Sequence, residues 1–270
     1  MNNMALNNNI LADLDPLGPV ISVPIFNFSI GHYNIVVSNH MFMVALAAAV
    51  LLILLPIAMR TKRFAPKGIQ NVIEYICVFL REQMARPVLG SATDQYIPFI
   101  WTMFFFIVCL NLLAMIPLNS IIYLATGRPN HLAGSAAANI WITAGLATIT
   151  FLATHIAGIK KQGLWHYIAN LAPKVPWPMI PIVYFLEIIT AFVRPAALAI
   201  RLFANMLAGH MVLAAFLGLI LVFKSYPAAF VSVTASVAIS FLELLIAFVQ
   251  AYIFTFLSTL FISFSIAQEH

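Results

Sequence analysis

Met43-Val44-Ala45-Leu46-Ala47-Ala48-Ala49-Val50-Leu51-Leu52-Ile53-Leu54-Leu55-Pro56-Ile57-Ala58 carries no charged side chain and no alternation of apolar with polar residues. A chain that crosses hydrocarbon must satisfy every backbone N–H and C=O internally, which leaves α-helices and closed β-barrels. Barrel strands show segments of about ten residues in which apolar and polar side chains alternate. This run shows none, so it is a helix. Working outward, no Asp, Glu, Lys or Arg occurs between Asp15 and Arg60, between Asp94 and Arg128, between Arg128 and Lys160, or between Arg201 and Lys224. Each interval exceeds the roughly 20 residues that span a bilayer core as helix. Of the 270 residues, 63% are hydrophobic and 8% charged, against about 45–50% and 25% in soluble proteins. So few charges cannot coat a soluble domain, and disordered chains are poor in apolar residues. The chain is an integral membrane protein.

The expected fold is all-α, with about five transmembrane passes and one interfacial amphipathic helix. Residues 1–39, turn-rich with Pro16, Pro19 and Pro24, form an extracytoplasmic segment. Met1 to Ile10 carry Asn where a secretory signal has positive charge, so no cleaved leader is expected. Residues 40–270 form a single polytopic domain. Its first span covers about His40 to Met59 and ends in the basic cluster Arg60, Lys62, Arg63 and Lys67. In Gly68 to Leu89, the apolar Val72, Ile73, Ile76, Phe79 and Leu80 recur at helical spacing, with Glu74, Arg81, Glu82 and Arg86 off that stripe. That pattern suits a helix lying in the membrane interface.

Further spans cover about Tyr96 to Leu118 and about Ala138 to Ile159, joined by a loop with Gly127, Pro129 and Gly134. A Pro-punctuated stretch, Pro173 to Pro181, leads to two long apolar blocks, 182–223 and 227–267, separated at Lys224-Ser225-Tyr226-Pro227. Forty residues of helix reach about 60 Å, twice the core thickness. Each block is a hairpin or one long tilted helix; the lack of an interior turn as clear as that break favours the helix. Lys and Arg concentrate after the first span and again at Lys160, Lys161 and Lys174. The positive-inside rule then places the N-terminus outside and the C-terminal Glu269-His270 inside. The net charge of +5 is explained by this distribution and does not call for nucleic acid.

Chemistry concentrates in the ionisable groups set inside the apolar blocks: Glu187, Arg194, Arg201, His210 and Glu243, with Asn205 and Gln250 as polar companions. A charged side chain at a helix centre costs about 2.5–3.5 kcal/mol on insertion scales. Several such costs in one chain imply a use. Glu187, Arg194 and Arg201 fall seven apart, two turns, and Asn205 continues that face. In the last block Ser236, Ser240, Glu243, Ala247 and Gln250 form a polar and small-residue stripe. Two such stripes should face each other or an aqueous cavity rather than lipid. Arginine keeps its proton, with a pKa above about 12, so Arg201 can be a fixed charge but not a proton carrier. His210 and Glu243 do titrate and suit proton stepping or the ordering of water. Glu187 could act likewise or pair with Arg194.

Plainer roles stand beside these. Arg194 and Lys224 could snorkel to the headgroups, Glu243 could serve only to neutralise Arg201, and Asn111 and Asn139 could be interhelical hydrogen-bond glue. His32, His40, His131, His155 and His166 show no ligand spacing, and Cys77 and Cys109 lie far apart in apolar segments; neither a metal nor a cofactor is expected. GxxxxGK[ST], GxSxG, HExxH and TVGYG are all absent, so direct nucleotide binding, a self-contained enzyme and a potassium channel have no support.

Arg201-Leu202-Phe203-Ala204-Asn205-Met206-Leu207-Ala208-Gly209-His210 closely resembles the signature of subunit a of F-type ATP synthases. Glu187, Arg194-Pro195, Glu243, Gln250, Pro98 to Pro117 with Asn111, and Ala138-Asn139 through Lys160-Lys161 are similar as well, so the likeness covers most of the chain after Asn39. The resemblance implies a non-catalytic stator that forms two offset aqueous half-channels against a rotating proteolipid ring and couples proton flow to ATP synthesis. It implies the ring (subunit c), the peripheral-stalk subunit b and other synthase subunits as partners in a bacterial inner membrane. Arg201 would face the ring carboxylate with Gln250 near it, and His210 and Glu243 would be the titratable pair. Several relatives carry an acid just after the position of Asn111, where this chain has Leu112, Leu113 and Ala114. A secondary transporter would show two related halves or matching broken helices, and neither is evident. An intramembrane enzyme would need a nucleophile and base, which are also lacking.

Overall fold

The computed structural model describes residues 24–30, 33–59, 68–116, 122, 134–169 and 177–266. The basic cluster Arg60 to Lys67, the loop residues Gly127 to Pro129, Pro173, Lys174, Pro176 and Glu269-His270 lie outside the described residues. An antiparallel hairpin, β1 (Pro24–Ile30) and β2 (Tyr33–Ser38), comes first, with Ile30 opposite Tyr33 at its closed end and Pro24 opposite Ser38. Beyond it the regular elements among the described residues are all helical. The helices are α1 (Asn39–Ala58), α2 (Ile69–Phe79), α3 (Arg86–Leu89), α4 (Thr93–Met115), α5 (Ile140–Gln162), α6 (Leu164–Ala169), α7 (Ile180–Phe223) and α8 (Tyr226–Ile266). A π-helical stretch, Leu80–Ala85, links α2 to α3, and short 3-10 turns fall at Gly90–Ala92, Ala136–Ala138 and Trp177–Met179. Among the described residues five helical runs are long and apolar enough to cross a membrane: Asn39–Ile57, Ile69–Met115, Ile140–Gln162, Ile180–Ile220 and Tyr226–Ile266.

Both closing blocks are single helices, of 44 and 41 residues. At 1.5 Å per residue they extend about 66 and 62 Å, twice what a straight crossing needs. The break falls where the sequence places it. Lys224 adopts a left-handed φ of 45°, and Pro227 sits in the first turn of α8, where its missing N–H leaves no gap in the ladder. Pro195 lies inside α7 and removes the hydrogen bond to the carbonyl four residues before it, a point of bending.

Of the charges off the apolar stripe of 68–89, Arg81, Glu82 and Arg86 pair with one another and with the start of α4. Arg81 reaches Asp94 at 2.5 Å, and Arg86 pairs with Glu82. Trp101 Nε1 donates to the Cys77 carbonyl at 3.1 Å. Helix α2 itself buries no residue, and Ile69, Val72, Tyr75 and Val78 on it are exposed.

Packing divides the chain into two compact units, one of residues 1–55, 106–142 and 202–250, the other of 56–105, 143–201 and 251–270. Both take pieces of α1, α4, α5, α7 and α8. In the first, Met43, Ala47, Ile107, Leu110, Leu202 and Met206 are buried. In the second, Leu80, Met84, Ile100, Leu198, Phe254 and Ile262 are buried.

Candidate functional site

In the first unit α7 and α8 run side by side, with Asn205 turned toward the polar stripe of α8. Asn205 Nδ2 donates to Gln250 Oε1 at 3.0 Å. Met206 and Ala247 share one buried cluster with Ala137 and Ala138, against which Ala114 packs. One turn on, a Cβ placed on Gly209 would lie 2.5 Å from Glu243 Oε1 and 2.8 Å from its Cδ. The bare glycine backbone therefore lets the Glu243 carboxyl come up against α7 immediately before His210. The steps 205/250, 206/247 and 209/243 follow an antiparallel pairing. Helix α4 adds Asn111, whose Nδ2 donates to the Ala247 carbonyl at 3.3 Å.

The polar atoms gathered here are short of protein partners. Asn111 Oδ1, Ser135 Oγ, His210 Nε2, Ser236 Oγ, Glu243 Oε1 and Gln250 Nε2 are all enclosed without a hydrogen bond from the described residues. Glu243 is 5% exposed and Gln250 3%. Leaving a buried polar group unsatisfied costs about 1–3 kcal/mol, so Asn111, Glu243 and Gln250, which meet at the α7–α8 contact, mark a place built for something other than dry packing. Ala114, packed against the buried cluster, presents only a methyl group there.

Arg201 differs in kind. It is exposed, on a face of α7 that includes the exposed Ala197, Ala204 and Ala208, while Leu198, Leu202 and Met206 point into the protein. No hydrogen bond or ion pair engages it among the described residues. Small neighbours leave the guanidinium standing clear of its own helix, available to something outside the chain. Most of the large apolar side chains of α7, such as Phe185, Phe192, Ile200 and Met211, are exposed too. Asn205, one turn after Arg201, is half-buried and turned to Gln250, so the common face read from the sequence divides here into an outward charge and an inward amide.

In the second unit Glu187 and Arg194 pair at 3.4 Å, each about one-third exposed, and the Arg194 guanidinium lies 5.6 Å from the centre of the Phe261 ring. Of the two roles open to Glu187, pairing is present. Among the described residues no three His, Cys, Asp or Glu side chains come together as a metal site. Ser135 and the close approach at Gly209 were not singled out in the sequence. A glycine immediately before a half-buried histidine, facing a glutamate stripe, is the signal that could have found the second.

A multi-pass helical protein with an outward arginine on one long helix, and a buried glutamate set against that helix from the next, has the intramembrane ionisable groups of the ion-handling class of membrane proteins. The family profile described as ATP synthase A chain matches residues 41–263. The chain is 39% identical to "ATP synthase subunit a" of Chloroherpeton thalassium over 95% of this chain and 74% of that protein. It is 40% identical to "ATP synthase subunit a" of Myxococcus xanthus over 89% of this chain and 76% of the relative. Against the Anaeromyxobacter sp. protein of the same name identity is 39% over 89% of this chain, which spans only 56% of that relative. The chain belongs to the ATP synthase A chain family.

Proposed function

We propose that this chain is the proton-conducting stator subunit of the membrane sector of an F-type ATP synthase. It lines two offset half-channels against a rotating proteolipid ring and couples proton flow to ATP synthesis, binding no nucleotide itself. The observation that carries this reading is the contrast on α7. Arg201 faces outward without a partner among the described residues, while Asn205, Gly209 and His210 line an enclosed region with Glu243 and Gln250. A fixed cation opposite a ring carboxylate draws that carboxylate into its charged form and bars direct passage of protons between the halves. The enclosed polar atoms need water to complete their hydrogen bonds, which suits one of the two half-channels. Glu187 with Arg194 suits the mouth of the other.

The exposed apolar faces of α7 and α8 suit contact with the ring on one side and lipid on the other. A proton crossing 100 mV releases about 2.3 kcal/mol, so several must cross per ATP made elsewhere in the complex. Positive-inside charge places the N-terminus outside and the C-terminus in the cytoplasm of a bacterium, with the chain in the inner membrane. Copurification tests the reading. Gentle detergent extraction should bring with this chain a small two-helix proteolipid, a stalk subunit and a peripheral ATPase, and vesicles holding the complex should take up protons on addition of ATP. An isolated chain without a proteolipid would remove the proposal.

A further inference from the structure

Helix α5 ends in Lys160-Lys161-Gln162 and passes into α6 with the single residue Gly163 between them. Gly163 closes α5 by donating its N–H to the Ile159 carbonyl at 2.8 Å, and its own carbonyl opens α6 by accepting from the Tyr167 N–H at 2.9 Å. Its φ of 78° suits a residue without a side chain. Had one helix simply run on, Tyr167 would lie about 18 Å beyond His155. Instead its hydroxyl stands 2.5 Å from His155 Nδ1, and a Cβ on Gly158 would overlap its ring. Helix α6 therefore folds back beside the last turns of α5. Gln162 Nε2 donates to the Ser265 carbonyl at 3.0 Å and Ser265 Oγ to the Thr154 carbonyl at 2.8 Å, which tie the same corner to α8.

Pinned on that side, the corner presents a different surface outward. Trp165 is 83% exposed and Leu164 53%, and Trp165 stands about 200° round α6 from the inserted Tyr167. On α5, Ile149, Leu152 and Ile156 are each 50% exposed. They follow at steps of three and four and so form one ridge, which Lys160, four residues after Ile156, continues. Thr150, Ala157 and Gly158, on the other side of the helix, are buried. Lys160, Lys161 and His166 are exposed. Glu82, Asp94 and Glu187 of this unit are engaged by Arg81, Arg86 or Arg194, and neither lysine has an ion-pair partner among the described residues. A span that needed only to end among headgroups requires the lysines alone. Here α6 returns to add an exposed indole and leucine beside them.

We propose that the α5–α6 corner is a binding site for an anionic phospholipid. Lys160, Lys161 and the His166 ring take the phosphodiester, Leu164 and Trp165 lie against the glycerol region, and an acyl chain follows Ile156, Leu152 and Ile149. An apolar ridge that runs straight into two unpaired cations matches an amphiphile with a long tail and a negative head. Free phosphate would use the lysines and leave the ridge without a purpose. A zwitterionic lipid brings an ammonium of its own, which the lysines repel. Lysine holds phosphate as a point charge and not through a fixed fork, which suits a headgroup that stays mobile. The site needs only that α5 crosses the bilayer, and it stands independently of the function proposed above. In the orientation proposed there, the corner lies in the cytoplasmic leaflet, whose surface is negative.

The test uses the whole complex in phosphatidylcholine vesicles doped with phosphatidylglycerol that carries a photoreactive group on one acyl chain. After illumination the labelled residues are located by mass spectrometry of the peptides. Label should fall on Ile149 to Ile156 and on Leu164-Trp165. Unlabelled phosphatidylglycerol should compete it away, whereas phosphatidylcholine and inorganic phosphate at the same concentration should not. Two unpaired lysines at a membrane surface should favour the anionic lipid about tenfold over a phosphatidylcholine bearing the same photoreactive group. Lys160→Gln/Lys161→Gln should remove that preference, and Lys160→Arg/Lys161→Arg should keep it. Equal labelling of the parental chain by the two lipids, or a preference that survives the glutamine pair, overturns the proposal. Competition by inorganic phosphate would make this a site for the free anion, and a corner labelled by neither lipid would be covered by another subunit; both results overturn it as well. If the glutamine variant fails to assemble, the competition on the parental chain decides by itself.

Discussion

Gly209→Ala adds one methyl group between the two long helices, at the point where Glu243 comes closest to the backbone of α7. The new Cβ would stand 2.5 Å from Oε1 and 2.8 Å from Cδ. Ordinary contact begins near 3.4 Å, so the carboxyl must retreat by roughly 1 Å. Overpacking of this kind costs about 1–3 kcal/mol. Alanine is favoured over glycine inside a helix by about 1 kcal/mol, which offsets part of the cost, so the variant should fold and assemble. Function is less forgiving, because a misplacement of about 1 Å at a reacting group can cost about 10²-fold. ATP-driven proton uptake by vesicles of the variant complex should fall about tenfold or more, with the ring still copurifying. Glu243→Asp withdraws the carboxyl by one methylene and clears the added methyl group, so Gly209→Ala/Glu243→Asp should pump better than Gly209→Ala alone. Parental uptake by the single variant, or a double variant worse than the two single losses combined, would refute the idea that Gly209 seats Glu243.

Cysteine at Ala204 or Ala208, both exposed beside Arg201, should crosslink to cysteine on the ring's ion-carrying helix, whereas cysteine at the buried Leu202 or Met206 should not; the reverse pattern would place the ring on another face. Asn205→Ala removes the 3.0 Å bond to Gln250 and leaves a second amide atom of a buried side chain unpaired, which should cost about 1 kcal/mol and lower the thermal midpoint of the purified complex by a few degrees. An unchanged midpoint would mean the bond contributes nothing. Exchanging His210 and Glu243 should retain more proton uptake than removing either, and equal loss in all three variants would break the pair apart.

Much of the fold is legible in the chain because membrane helices declare themselves by length and by absence of charge. The 44-residue and 41-residue helices and the break at Lys224 follow from runs too long to hide and from a turn whose proline fits the first turn of a helix. The stripe Ser236, Ser240, Glu243, Ala247, Gln250 was equally plain, and in the structure Glu243, Ala247 and Gln250 are its buried members. The hairpin β1–β2 was not anticipated. Phe26, Phe28 and Ile30 alternate with Asn27 and Ser29, a period-two signal, but the prolines before it read as loop. The His155–Tyr167 contact was out of reach for a different reason. It depends on the turn at Gly163 that brings the Tyr167 hydroxyl to His155 Nδ1, and spacing along one helix says nothing about that. Arg201 and Asn205 show the limit of face arguments: four residues along a helix leave about 40° between them, enough to turn one outward and the other in.

The most direct test is Arg201→Ala in the assembled complex, with proton uptake and ATP hydrolysis followed together in the same vesicles. Uptake should fall to background while hydrolysis continues and the proteolipid ring still copurifies. Uptake at the parental rate, driven by ATP across an otherwise tight membrane, would leave the outward guanidinium without a task and the two half-channels with nothing to keep them apart.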